Sequence, residues 1–414
     1  MFYVKNLADG NGEVFFGGMT KLKLKYVYNI GRDYFKEVNM NRAGGYVTAL
    51  NGFAAYKAYR PNALPPVPPL EMDAEMVELL SEAQYGLGKL DAVSEMVPDM
   101  DLFLGSYVRK EALLSSQIEG AQATLEDVLD AETAGAVNLD VNDVINYVNA
   151  LNYAIAEMKV LPVCNRLLCD THRVLLQGVR GQEKNPGEFR NSQNWIGAAN
   201  STIQTARYVP PTVEDMREAM SDLEKFIDQS EMNILLKTAL VHYQFETIHP
   251  FLDGNGRMGR MLITLMLLNE RVLHRPVLYL SLFLKTNRVE YYDRLSEVRN
   301  KGNYEQWVKF FLTGIGETCK DSVQAIMKIN DIIESDERKV AGETATVKRV
   351  YDYLKEHPIV NIGGTAKAVG LSYNTVSAAI RKLINSGIVS ERTTAARNRV
   401  FEYSQYLAVL KAGT

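Results

Sequence analysis

Apolar residues recur at three- and four-residue spacing from about Ala74 to Ala134 and again from Val141 to Val179. That is the period of one buried face of an α-helix. Asp140 or Asn142 is expected to cap the second run. Helical spacing resumes over residues 232–330, where Met261–Leu268 is apolar on every side and so belongs at the centre of a core. Two stretches break the helical pattern. YRPNALPPVPPL (59–70) cannot continue a helix and predicts an extended, surface-wrapping segment. GEFRNSQNWIGAANSTIQTARYVPP (187–211) has β-formers on either side of an Ala-Asn-Ser centre and predicts a β-hairpin, with a further helix from about Thr212. Residues 1–39 are mixed and strand-like, with Met19 and Met40 as alternative starts, so 1–58 is set apart as an extension without an assigned role. The polar run SDERKVAGETAT (335–346) reads as a linker between a mainly helical body, 59–334, and a last unit, 347–414.

That last unit has its own pattern. Val347, Val350, Tyr351 and Leu354 make one amphipathic helix. TAKAVGLSYNTVSAAIRKLINSGIV then gives a helix, a Gly-Leu-Ser turn and a second helix capped by Ser372. Val376, Ile380 and Leu383 face inward, which leaves Tyr373, Asn374, Ser377 and Arg381 available to a groove. Val389–Arg392 and Arg399–Tyr403 are spaced to pair as a wing with Arg397 near its tip, so the unit is expected to be an α+β winged helix.

Charge sharpens this division. The chain carries a net −4, yet residues 341–414 hold ten Lys/Arg against five Asp/Glu. A basic tail on an acidic body makes DNA one expected partner of the tail, with protein docking or dimer formation as the alternative. No run of about 18 apolar residues suggests a membrane span. The three cysteines, Cys164, Cys169 and Cys319, have neither metal-ligand nor disulfide spacing, so a cytoplasmic setting is expected.

The chemistry is concentrated in HPFLDGNGRMGR, His249 to Arg260. Gly254 and Gly256 let backbone N–H groups approach an anion, and the helix expected after them offers its N-terminus to phosphate. Arg257 and Arg260 are helical neighbours that can both grip phosphate oxygens. Asp253 can hold Mg²⁺, which binds through one carboxylate together with substrate phosphates. His249, just before the loop, can take a proton from an incoming hydroxyl. Gly254, Gly256 and Gly259 also spell the dinucleotide fingerprint, but that needs a preceding strand, and MNILLKTALVHYQFET is helical in spacing.

HPFLDGNGRMGR resembles the signature of the Fic family, HPFx(D/E)GN(G/K)RxxR, at every fixed position. The resemblance covers roughly residues 59–330 and implies a mainly α Fic bundle with a β-hairpin flap that registers an extended target segment. It also implies transfer of AMP from ATP, with Mg²⁺, to a Ser, Thr or Tyr of a protein. His249 would then be the general base and Asp253 the metal ligand. Gly254, Asn255 and Gly256 would line the anion hole, and Arg257 and Arg260 would bind pyrophosphate. In KTNRVEYYDRL (285–295), Asn287 and Tyr291 resemble adenosine contacts, with Tyr292 beside them. SSQIEG (115–120), on a helix near 107–120, resembles the family's inhibitory pattern, which implies that Glu119 pairs with Arg260 where a γ-phosphate would sit, with Ser115 one turn earlier. Removal of AMP from modified targets, transfer of another phosphate-containing group, and a DNA-binding regulator whose Fic body senses nucleotide remain alternatives. Self-modification and homo-oligomers are compatible with all of them.

Overall fold

The computed structural model describes residues 41–412 except 51–53, 97–99, 135–137, 199 and 393–398. Arg397, expected at the wing tip, lies outside the described residues. A hairpin of β1 (Gly44–Ala49) and β2 (Tyr56–Pro61) opens this region, paired antiparallel with Tyr46 opposite Tyr59. The helices of the body follow: α1 (Ala74–Met96), α2 (Met100–Ile118), α3 (Leu125–Ala134), α4 (Leu139–Glu157), α5 (Asn165–Leu175), α6 (Val213–Gln229), α7 (Ile234–Ile248), α8 (Asn255–Asn269), α9 (Ser281–Thr286), α10 (Arg288–Lys301) and α11 (Tyr304–Val340).

Helices α7 and α8 are the hydrophobic centre. Leu235–Ile248 and Asn255–Leu267 are buried without interruption, and Met261–Leu267 sits in the core as its apolar surface predicts. Around them α4 packs on α5, α6 on α7, and the long α11 along α1. Trp307 anchors α11 to the centre, fully buried, with its indole N–H donating to the Ala239 carbonyl at 2.8 Å.

Three expectations need correcting. The cap of α4 is Asn138, whose side chain accepts from the Val141 amide; the helix starts two residues earlier than a cap at Asp140 would allow. The boundary drawn at residue 59 falls inside β2, and residues 41–61 join the body. The Tyr59 amide donates to the Val209 carbonyl at 3.0 Å, and Arg42 pairs with Glu305 at 2.9 Å. The first half of the polar run at 335–346 is the end of α11, because Asp336, 2% exposed, accepts from the Tyr403 hydroxyl at 2.8 Å and so packs inward.

The last unit is built as its pattern predicts. It comprises α12 (Ala345–Glu356), β3 (Ile359–Asn361), α13 (Ile362–Val369), α14 (Tyr373–Asn385), β4 (Ser390–Glu391), β5 (Val400–Glu402) and α15 (Ser404–Lys411). The sheet order is β3-β5-β4, with Ser390 opposite Glu402. Ser372 caps α14, Val376, Ile380 and Leu383 are buried, and Tyr373, Asn374 and Arg381 are exposed. No helix among the described residues is long and apolar enough to cross a membrane.

Candidate active site

The loop from His249 to Gly254 joins the two central helices, and its shape follows from a few side chains. Helix α7 ends at His249, which adopts a left-handed backbone (φ 51, ψ 61), and Pro250 prevents continuation. Gly254, also left-handed at φ 72, starts α8. Asn255 closes the loop from within: its Oδ1 accepts from the Phe251 amide and its Nδ2 donates to the Phe251 carbonyl, both at 2.8 Å. The Asn255 side chain therefore shapes the loop and does not face an anion.

Helix α8 has no side-chain cap, so the amides of its first turn need an acceptor. A carboxylate stands there. Glu119 lies so close to Gly256 that a Cβ at 256 would collide with its Oε1. The same oxygen accepts from Arg260 Nη2 at 2.7 Å. Arg260, 2% exposed, is fixed further by Ser115, whose Oγ accepts from Nε at 2.8 Å and whose carbonyl accepts from Nη2 at 3.0 Å. Burial works against the Glu119 charge, but Arg260, with Arg257 and His249 behind it, holds this carboxyl below its ordinary range. The ion pair expected between Glu119 and Arg260 is thus present in the geometry.

The two arginines of the loop diverge. Arg257 is directed at Asp143 of α4 and at Asp253, at 3.5 and 3.6 Å, while Arg260 is directed at α2. Two of the three guanidinium nitrogens of Arg257 are buried without a hydrogen-bond partner, so it is the less satisfied of the two. The Asp253 carboxylate is partly exposed and its Oδ1 accepts from the Gly254 amide at 2.6 Å. Gly181 leaves room beside Oδ2. A single exposed carboxylate next to an anion pocket suits a cation that is shared with substrate phosphates, the usual arrangement for Mg²⁺. Among the described residues no cluster of three or more potential ligands would hold a metal alone.

Sequence reasoning missed the struts that hold His249. Arg190, 1% exposed, donates to the His249 carbonyl at 3.1 Å and to the Pro211 carbonyl at 2.5 Å, and its amide donates to the Pro250 carbonyl. Burial lowers the Arg190 pKa to about 10. Burial likewise lowers His249 to about 4; Glu119 and the Glu246 carbonyl pull the other way, and Arg190 and Arg299 add to the lowering. The imidazole is therefore neutral near pH 7 and free to accept a proton. His172 supports the far side of the loop. It accepts from the Gly187 amide at Nδ1, donates from Nε2 to the Asp253 carbonyl, and stacks on Phe251 with ring centres 3.8 Å apart. A lone histidine far upstream gives no hint of this use.

The segment 187–211 is a looser feature than a hairpin. One bridge, Ile196 to Tyr208, closes it. Two side chains tie it to the site: Asn194 donates to the Phe251 carbonyl at 2.9 Å and the Tyr208 hydroxyl to the Thr247 carbonyl at 2.6 Å. Beneath it opens a cavity of about 360 Å³, with Glu119, Glu246, Ile196, Tyr208 and Tyr292 in its walls. Tyr46 of β1 contributes from a region no motif singled out. Arg288 and Arg299 bring positive charge to it.

Asn287 and Tyr291 do not line this cavity. Asn287 is the junction of α9 and α10, and its side chain donates back to the Phe283 carbonyl at 3.0 Å. Tyr291 is fully buried, its hydroxyl against His242 Nε2 at 2.9 Å, while His242 Nδ1 donates to the Gly259 carbonyl. Spacing of four residues put these two on one face, but that face packs on α7; Tyr292, one position on, reaches the cavity.

Comparisons with known proteins agree with this arrangement. A Fic/DOC family N-terminal model matches residues 77–156, a Fic/DOC family model residues 162–267, and a winged helix-turn-helix DNA-binding model residues 344–390. The protein adenylyltransferase Fic of Culex quinquefasciatus is 33% identical over 146 residues, covering 34% of this chain and 26% of that protein. That of Drosophila mojavensis is 30% identical over 253 residues, 57% of this chain and 46% of that protein. The chain therefore spans less than half the length of these curated relatives. A crystal structure of a Fic family protein from Desulfovibrio desulfuricans shares the fold at 19% identity, with a TM-score of 0.54 over 81% of this chain and 98% of that one. The chain thus carries a Fic/DOC family N-terminal domain over residues 77–156 and a Fic/DOC family domain over residues 162–267, and a winged helix follows them.

Proposed function

We propose that this chain transfers AMP from ATP to a Ser, Thr or Tyr hydroxyl of a protein and that Glu119 restrains it. The observation that carries the reading is the Glu119 carboxylate seated between Gly256 and Arg260, an anion supplied by the chain itself at a helix N-terminus built for one. ATP competes for that position. When Glu119 withdraws, the first-turn amides of α8 and the Arg260 guanidinium receive phosphate oxygens, and Arg257 shares its charge with them.

The target hydroxyl then attacks the α-phosphorus as its proton passes to neutral His249. The bond from the α-phosphorus to the bridging oxygen breaks, and pyrophosphate leaves into the arginine-lined end of the loop. Arg190 and Asn194, both bonded to the His249 carbonyl, fix the base during this exchange. Mg²⁺, held through Asp253, would screen the charge of the phosphates. Tyr292 and Arg288, in the cavity wall, are proposed to join Asn287 and Tyr291 in holding the nucleoside. Support also comes from the curated relatives, which carry the name protein adenylyltransferase.

Transfer of label from α-³²P-ATP to protein in a lysate tests the reading. Glu119→Gly should raise labelling well above wild type, and H249A in that background should lower it at least about 100-fold. Labelling that survives H249A would remove His249 from the reaction. The winged helix, with Tyr373, Asn374 and Arg381 exposed on α14, is proposed to bind duplex DNA.

A further inference from the structure

The helix that leads to Glu119 is held from two directions. Its end meets α8 through Ser115 and Glu119. Its earlier turns meet the C-terminal unit. Lys110, 3% exposed, donates from Nζ to the Ala412 carbonyl at 2.6 Å and lies over the Tyr279 ring. Tyr406 of α15 is 1% exposed, with Ser106 of α2 beside its hydroxyl. Helix α12 packs on α2, and β3 packs on α3, the helix that follows Glu119. Lys411 pairs with Glu126, in the first turn of α3, at 2.6 Å. The chain on both sides of Glu119 is therefore gripped by one neighbour.

That neighbour is mechanically continuous with the winged helix. Strand β5, which pairs with both β3 and β4, runs through Tyr403 directly into α15. The Tyr403 amide donates to the Pro358 carbonyl at 2.9 Å, and Ser404 bonds Ser390 of β4 at 2.6 Å. A shift of the sheet carries α15 with it.

We infer that α15 is a clasp that keeps Glu119 seated on Arg260, so that the winged helix controls access of ATP to the site. The inference rests on the proposed restraint by Glu119 and adds the part of the chain that sets it. Loosening the clasp lets α2 and α3 move, Glu119 leaves Arg260 more often, and ATP binds more tightly in proportion to the competent fraction.

ATP binding by the full chain, measured by calorimetry, reads this without a protein target. Y406A removes the buried ring, and K411E reverses the pair with Glu126 at a partly exposed position that leaves the core intact. Each should bind ATP about fivefold more tightly than wild type, at the lower end of usual coupling between sites. In an E119G background, itself tighter than wild type, neither should add anything, because both act through the same carboxylate. Clasp variants that match wild type while E119G is tighter would overturn the clasp and leave the restraint standing. Equal gains with and without Glu119 would also overturn it. An E119G protein that binds ATP like wild type would overturn both.

Discussion

His249 holds its left-handed backbone at a cost of about 1 kcal/mol for a residue with a Cβ. Glycine would relieve that cost, so H249G should unfold at higher urea than H249A while both lack transfer activity; urea titration of the two separates backbone strain from chemistry. Another residue works against stability by its charge. Glu246, 8% exposed, has an Oε1 without a hydrogen-bond partner and packs against Gly259. Burial raises its pKa from 4.5 to about 7, only partly opposed by Arg260, while Glu119 adds to the rise and Arg299 opposes it. Because the folded state keeps the proton and the unfolded state loses it, this group withdraws stability as pH rises from about 4.5 to 7. E246Q removes that loss. The stability of E246Q relative to wild type should therefore grow across that window, by on the order of 2 kcal/mol, and level off above pH 7. His172 and His242, both lowered to about 4 by burial, pull the other way in wild type but largely cancel in the difference.

At the scale of elements, the active loop is short and self-bonded, which is why so much of it could be read in advance. Gly254 and Gly256 serve local geometry that their own neighbours define, and a helix does begin there. At Asn255 the resemblance implies a place in the anion hole, and the side chain adds a second task by bridging the Phe251 backbone. N255A should cost about 2 kcal/mol in unfolding free energy, since two buried hydrogen bonds go at once and the Phe251 amide and carbonyl lose their partner. Thermal or urea unfolding checks this. Apart from the Glu119–Arg260 pair, which the family resemblance supplied, contacts between distant segments could not be read. Arg190, His172, Asp143 and Tyr46 come from four different elements or loops, and nothing in their local pattern marks them. The surroundings of Asn287 and Tyr291 were likewise not legible, because a helical period does not say which neighbour a face will meet. The segment 187–211 has hairpin residues, but its described residues make one bridge, Ile196 to Tyr208, and the Asn194 side chain ties the segment to the His249 and Phe251 carbonyls.

For the whole molecule, the winged helix was legible because its small core has a clear period of its own. Its attachment was not, because residues 335–346 are polar on average and yet place Asp336 in a buried contact with Tyr403. If α14 contacts a duplex, R381A should weaken binding several-fold and lower the slope of log affinity against log salt by about one, as loss of one phosphate contact does. Fluorescence anisotropy of a labelled duplex at several salt concentrations measures both. Tyr46 carries a different lesson. The strand that bears it precedes the first residue matched by the family models, although it forms part of the chamber wall beside Glu119. A shortened polypeptide beginning at residue 77 would retain every signature position yet have a breach in that wall. If the chamber holds the nucleotide as proposed, exchange of this strand between homologues is a route to altered nucleotide preference that leaves the signature loop untouched.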